Sequence, residues 1–388
     1  MLAALAVAEF FGMTLWFSAT AVTPALVSEF HMSSERAAWL TMAVQAGFVV
    51  GTLGSAIANL ADVVNARVVL FLGSLAGAAA NAAVLTASTA DAVIVYRFLT
   101  GVALACVYPP GMKLAAGWFR DRRGLALGVL IGALTLGKAF PHLLTALYGS
   151  HWREPMLFVS ALSIIGGTLV LTVVRDGPHV AATAPFDRHA IRRIFSTPGT
   201  RFATFGYLGH MWELYAMWTW IATLATASFA AARLTDPAAA GSLAAFVAIG
   251  SGTAGCIVAG MAADRVGRAR VAIWAMWISA ASAAVTPAVF GGPAIWFFAL
   301  VIVWGFAVVA DSAQFSALVS EYSPRDHVGT ALTLQTCLGF LLTIVTIELL
   351  PRVAATAGWR WASLLLVPGP VAGIVAMRRL TAGRFAAS

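Results

Sequence analysis

Six ionisable side chains stand inside long apolar runs: Glu9, Arg97, Lys138, Glu213, Asp311 and Glu348. A carboxylate held away from water is disfavoured as an anion, so it can take up and release protons near neutral pH. Glu213 is therefore the first choice for a proton-coupling group and Glu9 the second. His210 lies one helical turn before Glu213 and either modulates it or packs as a hydrogen-bonded histidine. Arg97 and Lys138 together make a cationic patch that invites an anionic ligand. Two alternatives stay open: a fixed pair of Glu9 with Arg97, and neutralisation of Lys138 by Glu9 or by a backbone carbonyl. Glu9, Met13, Trp16 and Thr20 share one helical face, as do His210, Glu213, Met217 and Trp220. Trp16, Trp220 and Tyr108 supply aromatic walls for such a site. No paired-aspartate metal motif, His-Glu-x-x-His, nucleophile elbow or glycine-rich phosphate loop occurs. No catalytic residue, metal site or cofactor is predicted.

The elements that must carry these residues follow from composition. Of 388 residues, 60% are hydrophobic and only 10% charged, against about 25% in soluble domains. That excludes disorder, a nucleic-acid-binding protein, a disulfide scaffold and, with so little charge for a wetted surface, an ordinary soluble enzyme. The apolar runs reach 18 residues or more, far beyond barrel-strand length. The class is an all-α polytopic membrane protein. Cys106, Cys256 and Cys337 fall inside apolar runs and read as small core residues.

Apolar runs between polar breaks predict twelve spans: 2–27, 37–58, 67–87, 92–115, 124–148, 155–174, 201–226, 238–260, 271–290, 294–316, 328–350 and 359–378. No basic residue precedes the first run, and it is long enough to span, so it reads as span one rather than a cleaved signal peptide. The net charge of +8 reflects topology. The face carrying both termini collects most of the arginines, including Arg67, Arg265, Arg268 and Arg270, which puts both termini in the cytoplasm of a bacterial-type inner or plasma membrane. A polar stretch at 177–200 separates residues 1–176 from 201–388, predicting two pseudo-symmetric six-helix bundles. At 1.5 Å per residue Glu9 is about 12 Å and Glu213 about 18 Å deep, both near the midplane. Arg97 and Lys138 come to a similar level, Asp311 lies in the cytoplasmic third, and Glu348 near the far end is solvated.

An internal repeat supports the division. Glu9-Phe-Phe-Gly-Met13-Thr-Leu-Trp16 matches Glu213-Leu-Tyr-Ala-Met217-Trp-Thr-Trp220. Asp62 matches Asp264, Gly124-Leu-Ala-Leu matches Gly329-Thr-Ala-Leu, and Trp152-Arg153 matches Trp359-Arg360, all in chain order at offsets near 204. Both copies enter from the same side, so the repeat is parallel.

Gly260-Met-Ala-Ala-Asp264-Arg265-Val-Gly267-Arg268 resembles the G-x-x-x-D-R-x-G-R loop motif of the major facilitator superfamily. The copy after span two keeps Asp62 and Arg67 but has lost its glycines. Arg97-Phe-Leu-Thr-Gly101 is similar to the family's R-x-x-x-G motif. Span five lacks the Gly-Pro pair of its drug antiporters. The resemblance implies a central cavity lined by spans one, four, seven and ten, which carry Glu9, Arg97, Glu213 and Asp311. The motif has its own physical logic: Gly260 and Gly267 allow tight turns, and Asp264 can face the N-terminus of span five, as Asp62 can face that of span eleven. Such contacts would latch the cytoplasmic ends. Gly47, Gly51, Gly54, Gly128 and Gly132 are expected to let spans two and five pack closely against the opposite half.

The expected function is secondary transport of a small organic solute, with an anion favoured by the cationic patch, by alternating access coupled to protons. The expected partners are the solute, protons and the bilayer, with the chain a monomer. Efflux of drugs or toxic compounds by proton antiport is the rival on the same fold. A membrane-embedded enzyme would need a catalytic cluster that the sequence lacks.

Overall fold

The computed structural model describes residues 1–119, 123–149, 151–179, 187 and 191–383, with the side chains at 61–62, 123–125, 193 and 325 outside that set. All regular structure among the described residues is helical. Eleven segments are long and apolar enough to cross a bilayer, from Ser34–Ile57 to Trp359–Ala382. The remaining crossing is span one, which is interrupted: Leu2–Met13, Ser18–Ala21 and Thr23–Phe30. Twelve crossings return Ala382 to the face from which Leu2 starts. The chain is an all-α, twelve-span membrane protein.

The interruptions matter because they free backbone groups inside the bilayer, where every one needs a partner. Span four breaks between Ala90–Leu104 and Tyr108–Trp118. Pro109 and Pro110 open the second piece, where missing N–H groups are tolerated. Further along a helix their rings would clash with carbonyls four residues back. Span ten breaks at Asp311, between Ala294–Ala310 and Ser312–Tyr322. The second pieces of spans four and ten are both 11 residues long and are displaced by 204 positions, from Tyr108 to Ser312. The duplicated sequence thus folds into duplicated kinks. Span twelve breaks ahead of Pro368, which opens Pro368–Ala382.

Three expectations are corrected. Span one is not continuous: Thr14 to Phe17 form tight turns, with Trp16 N–H donating to Met13 O at 3.1 Å. The span-eight motif is not a loop, because Pro237–Val266 stays helical through Asp264 and Arg265; only Gly267, at φ +92°, makes the turn. Finally, only part of the glycine set faces the other half. Gly128 and Gly132 of span five lie against span eight, where Thr253 Oγ1 donates to Gly132 O at 3.0 Å. Gly47 and Gly51 instead lie against the backbone of span four in their own half, and Gly54 faces open space. Across the halves, span two meets span eleven through Phe48 and Phe340, whose ring centroids are 4.8 Å apart.

Candidate functional site

The break in span one creates the site. Its turns present the carbonyls of Leu15 and Trp16 inside the protein, and Arg97 of span four takes both. Arg97 Nη2 donates to Leu15 O at 3.1 Å and Trp16 O at 2.6 Å. Nη1 donates to Ser18 Oγ at 2.9 Å and Asn81 Oδ1 at 3.0 Å, and Nε to Leu40 O at 3.3 Å. The guanidinium is fully buried and all its donor directions are used. Two corrections follow. Arg97 does not pair with Glu9, and it is not free to bind or balance a solute. It staples spans one to four and fixes the backbone on which Trp16 and Phe17 stand.

Both rings reach the boundary between the halves, where Trp16 meets Lys138 and Phe17 meets Tyr215. Lys138 Nζ lies 4.3 Å from the Trp16 ring centroid, 5.0 Å from Tyr215 and 5.4 Å from Trp218. It donates to Tyr215 Oη at 2.6 Å. An ammonium desolvated among three rings gains from each face. Lys138 belongs to span five and Tyr215 to span seven, so this bond joins the halves at mid-membrane. Phe17 stacks near Tyr215 and Trp218, and Phe340 lies 5.1 Å from Tyr215. Trp16, Phe17, Tyr215, Trp218 and Phe340 are each at most 5% exposed. The rings fill the space between the halves, so a solute enters only when they part.

Around this cage lie polar groups with no partner. Both oxygens of the fully buried Glu9 lack a hydrogen bond among the described residues. So do Trp16 Nε1, Trp218 Nε1 and both nitrogens of His142. His142 is one turn beyond Lys138 and 6.3 Å from the Phe17 ring. Lys138 is the cation whose charge acts on Glu9, without an ion pair forming. Buried polar groups are normally satisfied; these four unpartnered side chains, on spans one, five and seven, mark where a ligand or water is expected to supply the bonds. Tyr108 closes the Glu9 side and stacks on Phe48 at 6.4 Å.

Gly111 faces Glu9 so closely that a methyl group there would collide with Oε1. Helix propensity alone favours alanine at such a position by about 0.5–1 kcal/mol. Oε1 ends a flexible side chain, but Glu9 is fully buried, so its carboxyl must turn within packed surroundings, and overpacking of that kind costs about 1–3 kcal/mol. Gly111→Ala is expected to lower the melting temperature in detergent, and Glu9→Ser in the same chain to restore it. An unchanged melting temperature in Gly111→Ala would remove this account.

The other half differs despite the repeat. Glu213, Glu9's sequence counterpart, accepts from Trp304 Nε1 at 2.7 Å and is buried within the C-terminal half. His210 Nδ1 lies 2.8 Å from Asp311 Oδ1, tying span seven to the kink of span ten. His210 therefore serves Asp311 rather than Glu213. Trp220 is not a cage wall: its Nε1 donates to Ile347 O at 3.0 Å and its ring packs 5.8 Å from Trp359. Glu348 pairs with Arg352, outside the site.

On the terminus-bearing face, Arg67 pairs with Asp176 at 3.2 Å, joining the span-two loop to the end of span six. Arg268 pairs with Glu321 at 2.6 Å, within the C-terminal half. Gly260 is buried in its helix, while Asp264 and Arg265 are exposed; Asp264 makes no ion pair with a described residue. The side chain of Asp62 lies outside the described residues.

Tyr215, Trp218, Phe17, Asn81 and Gly111 complete the site, and sequence reasoning did not select them. The signal for the first two was present. Tyr207, Met211, Tyr215 and Trp218 recur at helical spacing on the face of span seven next to that of Glu213 and Trp220.

Two six-span bundles meeting on a buried cationic centre define a transporter fold. The sequence matches the family model of the Major Facilitator Superfamily over residues 5–234, and the chain belongs to that family; it is a transporter rather than an enzyme. Among solved structures it is similar to a variant of the nucleoside transporter NupG, with a TM-score of 0.72 at 17% identity, covering 98% of this chain and 99% of that one. Comparison with curated proteins finds no match.

Proposed function

We propose that the chain moves a small organic anion across the bacterial inner membrane, by alternating access coupled to protons, with both termini cytoplasmic. The observation that carries this reading is the Lys138 ammonium, caged by rings from both halves, two of which, Trp16 and Trp218, carry unpartnered N–H groups, with the unpartnered Glu9 and His142 on spans one and five. The two indole N–H groups and the ammonium are donors, which suits a solute rich in oxygen acceptors. The rings suit an apolar or aromatic body. Of the two carboxylates proposed for coupling, Glu9 shares the site with Lys138, so it is the proposed proton carrier. Glu213, held by Trp304, supports the C-terminal half. Arriving solute exchanges the Lys138–Tyr215 bond for its own, which lets the halves part on one face.

The test is flux in proteoliposomes under an imposed pH gradient, with organic anions set against cationic dyes. The reading expects anion movement that follows the gradient in the wild type and loses that dependence in Glu9→Gln. Flux that ignores the gradient would remove proton coupling. Preferential dye movement would favour the efflux rival, whose apolar cations Lys138 should repel.

A further inference from the structure

We propose that the lipid-facing groove between spans seven, eleven and twelve is a binding site for one anionic phospholipid. The groove has a volume of about 480 Å³ and runs from Phe202 and Arg379 at the terminus-bearing face to Trp212, Leu342 and Pro368 at its inner end. Trp212 and Pro368 are 10 and 11 residues from Phe202 and Arg379, which is about 15 Å of helix rise. That is one leaflet of a hydrocarbon core about 30 Å thick. The groove therefore has the depth of one acyl chain and stops at the midplane.

Its floor is made by a close crossing of spans seven and twelve. A Cβ on Gly209 would meet Gly369 O at 2.5 Å, and one on Gly369 would meet Gly209 O at 2.7 Å. Small residues let the two backbones approach, and the larger rings of Phe202, Phe205 and Trp212 stand up as walls. Trp212 Nε1 is spent on Leu365 O at 2.9 Å, so the inner end presents an apolar ring surface and no free donor.

The outer end has the opposite character. Arg379 lines the groove at headgroup level, and Arg201 projects beside it with its guanidinium carbon 5.8 Å from the Phe202 ring. Both arginines are exposed, and neither has an ion pair with a described carboxylate. An apolar slot of leaflet depth under two unpaired guanidiniums matches an acyl chain beneath an anionic headgroup. A basic pocket between spans at a membrane surface recognises such lipids. A zwitterionic lipid matches the slot but not the rim.

The experiment is native mass spectrometry of the purified full-length chain, with dioleoyl phosphatidylglycerol and dioleoyl phosphatidylcholine in competition. One phosphatidylglycerol is expected to be retained per chain, in preference to phosphatidylcholine. Arg379→Gln should weaken its retention about fivefold, the factor that one arginine near an anionic surface supplies. Ala372→Phe, which fills the slot at an exposed lining position, should weaken both lipids while leaving the melting temperature in detergent unchanged. Arg270→Gln, elsewhere on the same face, should change nothing. Equal retention of the two lipids, loss in Arg270→Gln equal to that in Arg379→Gln, or a dimer in place of the lipid adduct would each overturn the proposal.

Discussion

Arg97→Met is expected to destabilise the N-terminal half more than any other single substitution in the chain. Two terms oppose each other. Removing a buried charge relieves a desolvation cost, and buried ionic groups are sometimes replaced by apolar ones at no loss. Here the first term loses, because three of the five partners left behind are backbone carbonyls, two of them freed by the break in span one and the third, Leu40 O, on span two. Leu15 O, Trp16 O and Leu40 O belong to the interior of a four-helix packing in lipid, where no water replaces the guanidinium. Each hydrogen bond to a charged group is worth about 1.5–3 kcal/mol, and five are lost, so a net cost of about 4 kcal/mol is expected after relaxation. Arg97→Lys should recover only part of this, since an ammonium cannot span acceptors on spans one, two and three at once. Thermal unfolding in detergent measures the effect. A melting temperature within error of the wild type in Arg97→Met would show that the break in span one is held by something else.

Arg97 also marks where sequence reading stops. The twelve spans were legible because lipid imposes long apolar runs. The parallel repeat was legible because both copies keep Glu, Met and Trp in register. The kink of span four could be anticipated from Pro109 and Pro110. The break in span one carries no such mark: Thr14-Leu15-Trp16-Phe17 contains neither proline nor glycine. A buried arginine and a buried lysine at similar depths therefore read as one cationic patch. In the structure they do different things, because Arg97 answers free carbonyls and Lys138 answers aromatic faces. The face of span seven that meets the other half went unread for a related reason. Glu213 defined the expected cavity face, but its carboxylate meets Trp304 inside its own half, and Tyr215 and Trp218 on the neighbouring face reach the other one. One hydrogen bond to an indole turns the Glu213 carboxylate toward its own half, and helical periodicity does not encode it. The duplicated residues have diverged in the same way. Gly111, against which Glu9 rests, has Phe315 at its repeat position, and Phe315 packs on His210 with centroids 5.6 Å apart.

Lys138→Gln is expected to abolish concentrative transport while leaving the chain folded. Glutamine keeps most of the length and can still donate to Tyr215 Oη, so the mid-membrane contact between the halves survives in weakened form. What it removes is the charge. The ammonium is 4% exposed, faces three rings and is influenced by Glu9 without being paired to it. Among the described residues it therefore has no ion pair, and Arg97 is saturated. Losing one member of a desolvated charge contact costs about 2–5 kcal/mol, so the apparent affinity for an anionic solute should fall by about thirtyfold or more. Lys138→Arg should not rescue it, because a planar guanidinium does not fit a space closed by Trp16, Tyr215 and Trp218. Tyr215→Phe separates the two duties of the lysine. It keeps ammonium, rings and charge and deletes only the hydroxyl that ties span five to span seven. Solute affinity should stay near wild type in that variant, while spin-label distances across the halves shift away from the closed arrangement. If Lys138→Gln instead binds and moves the solute as the wild type does, the ammonium is a structural tie and the solute is not recognised by its charge. If Tyr215→Phe loses affinity as severely as Lys138→Gln, the hydroxyl and not the ammonium is the group that meets the solute.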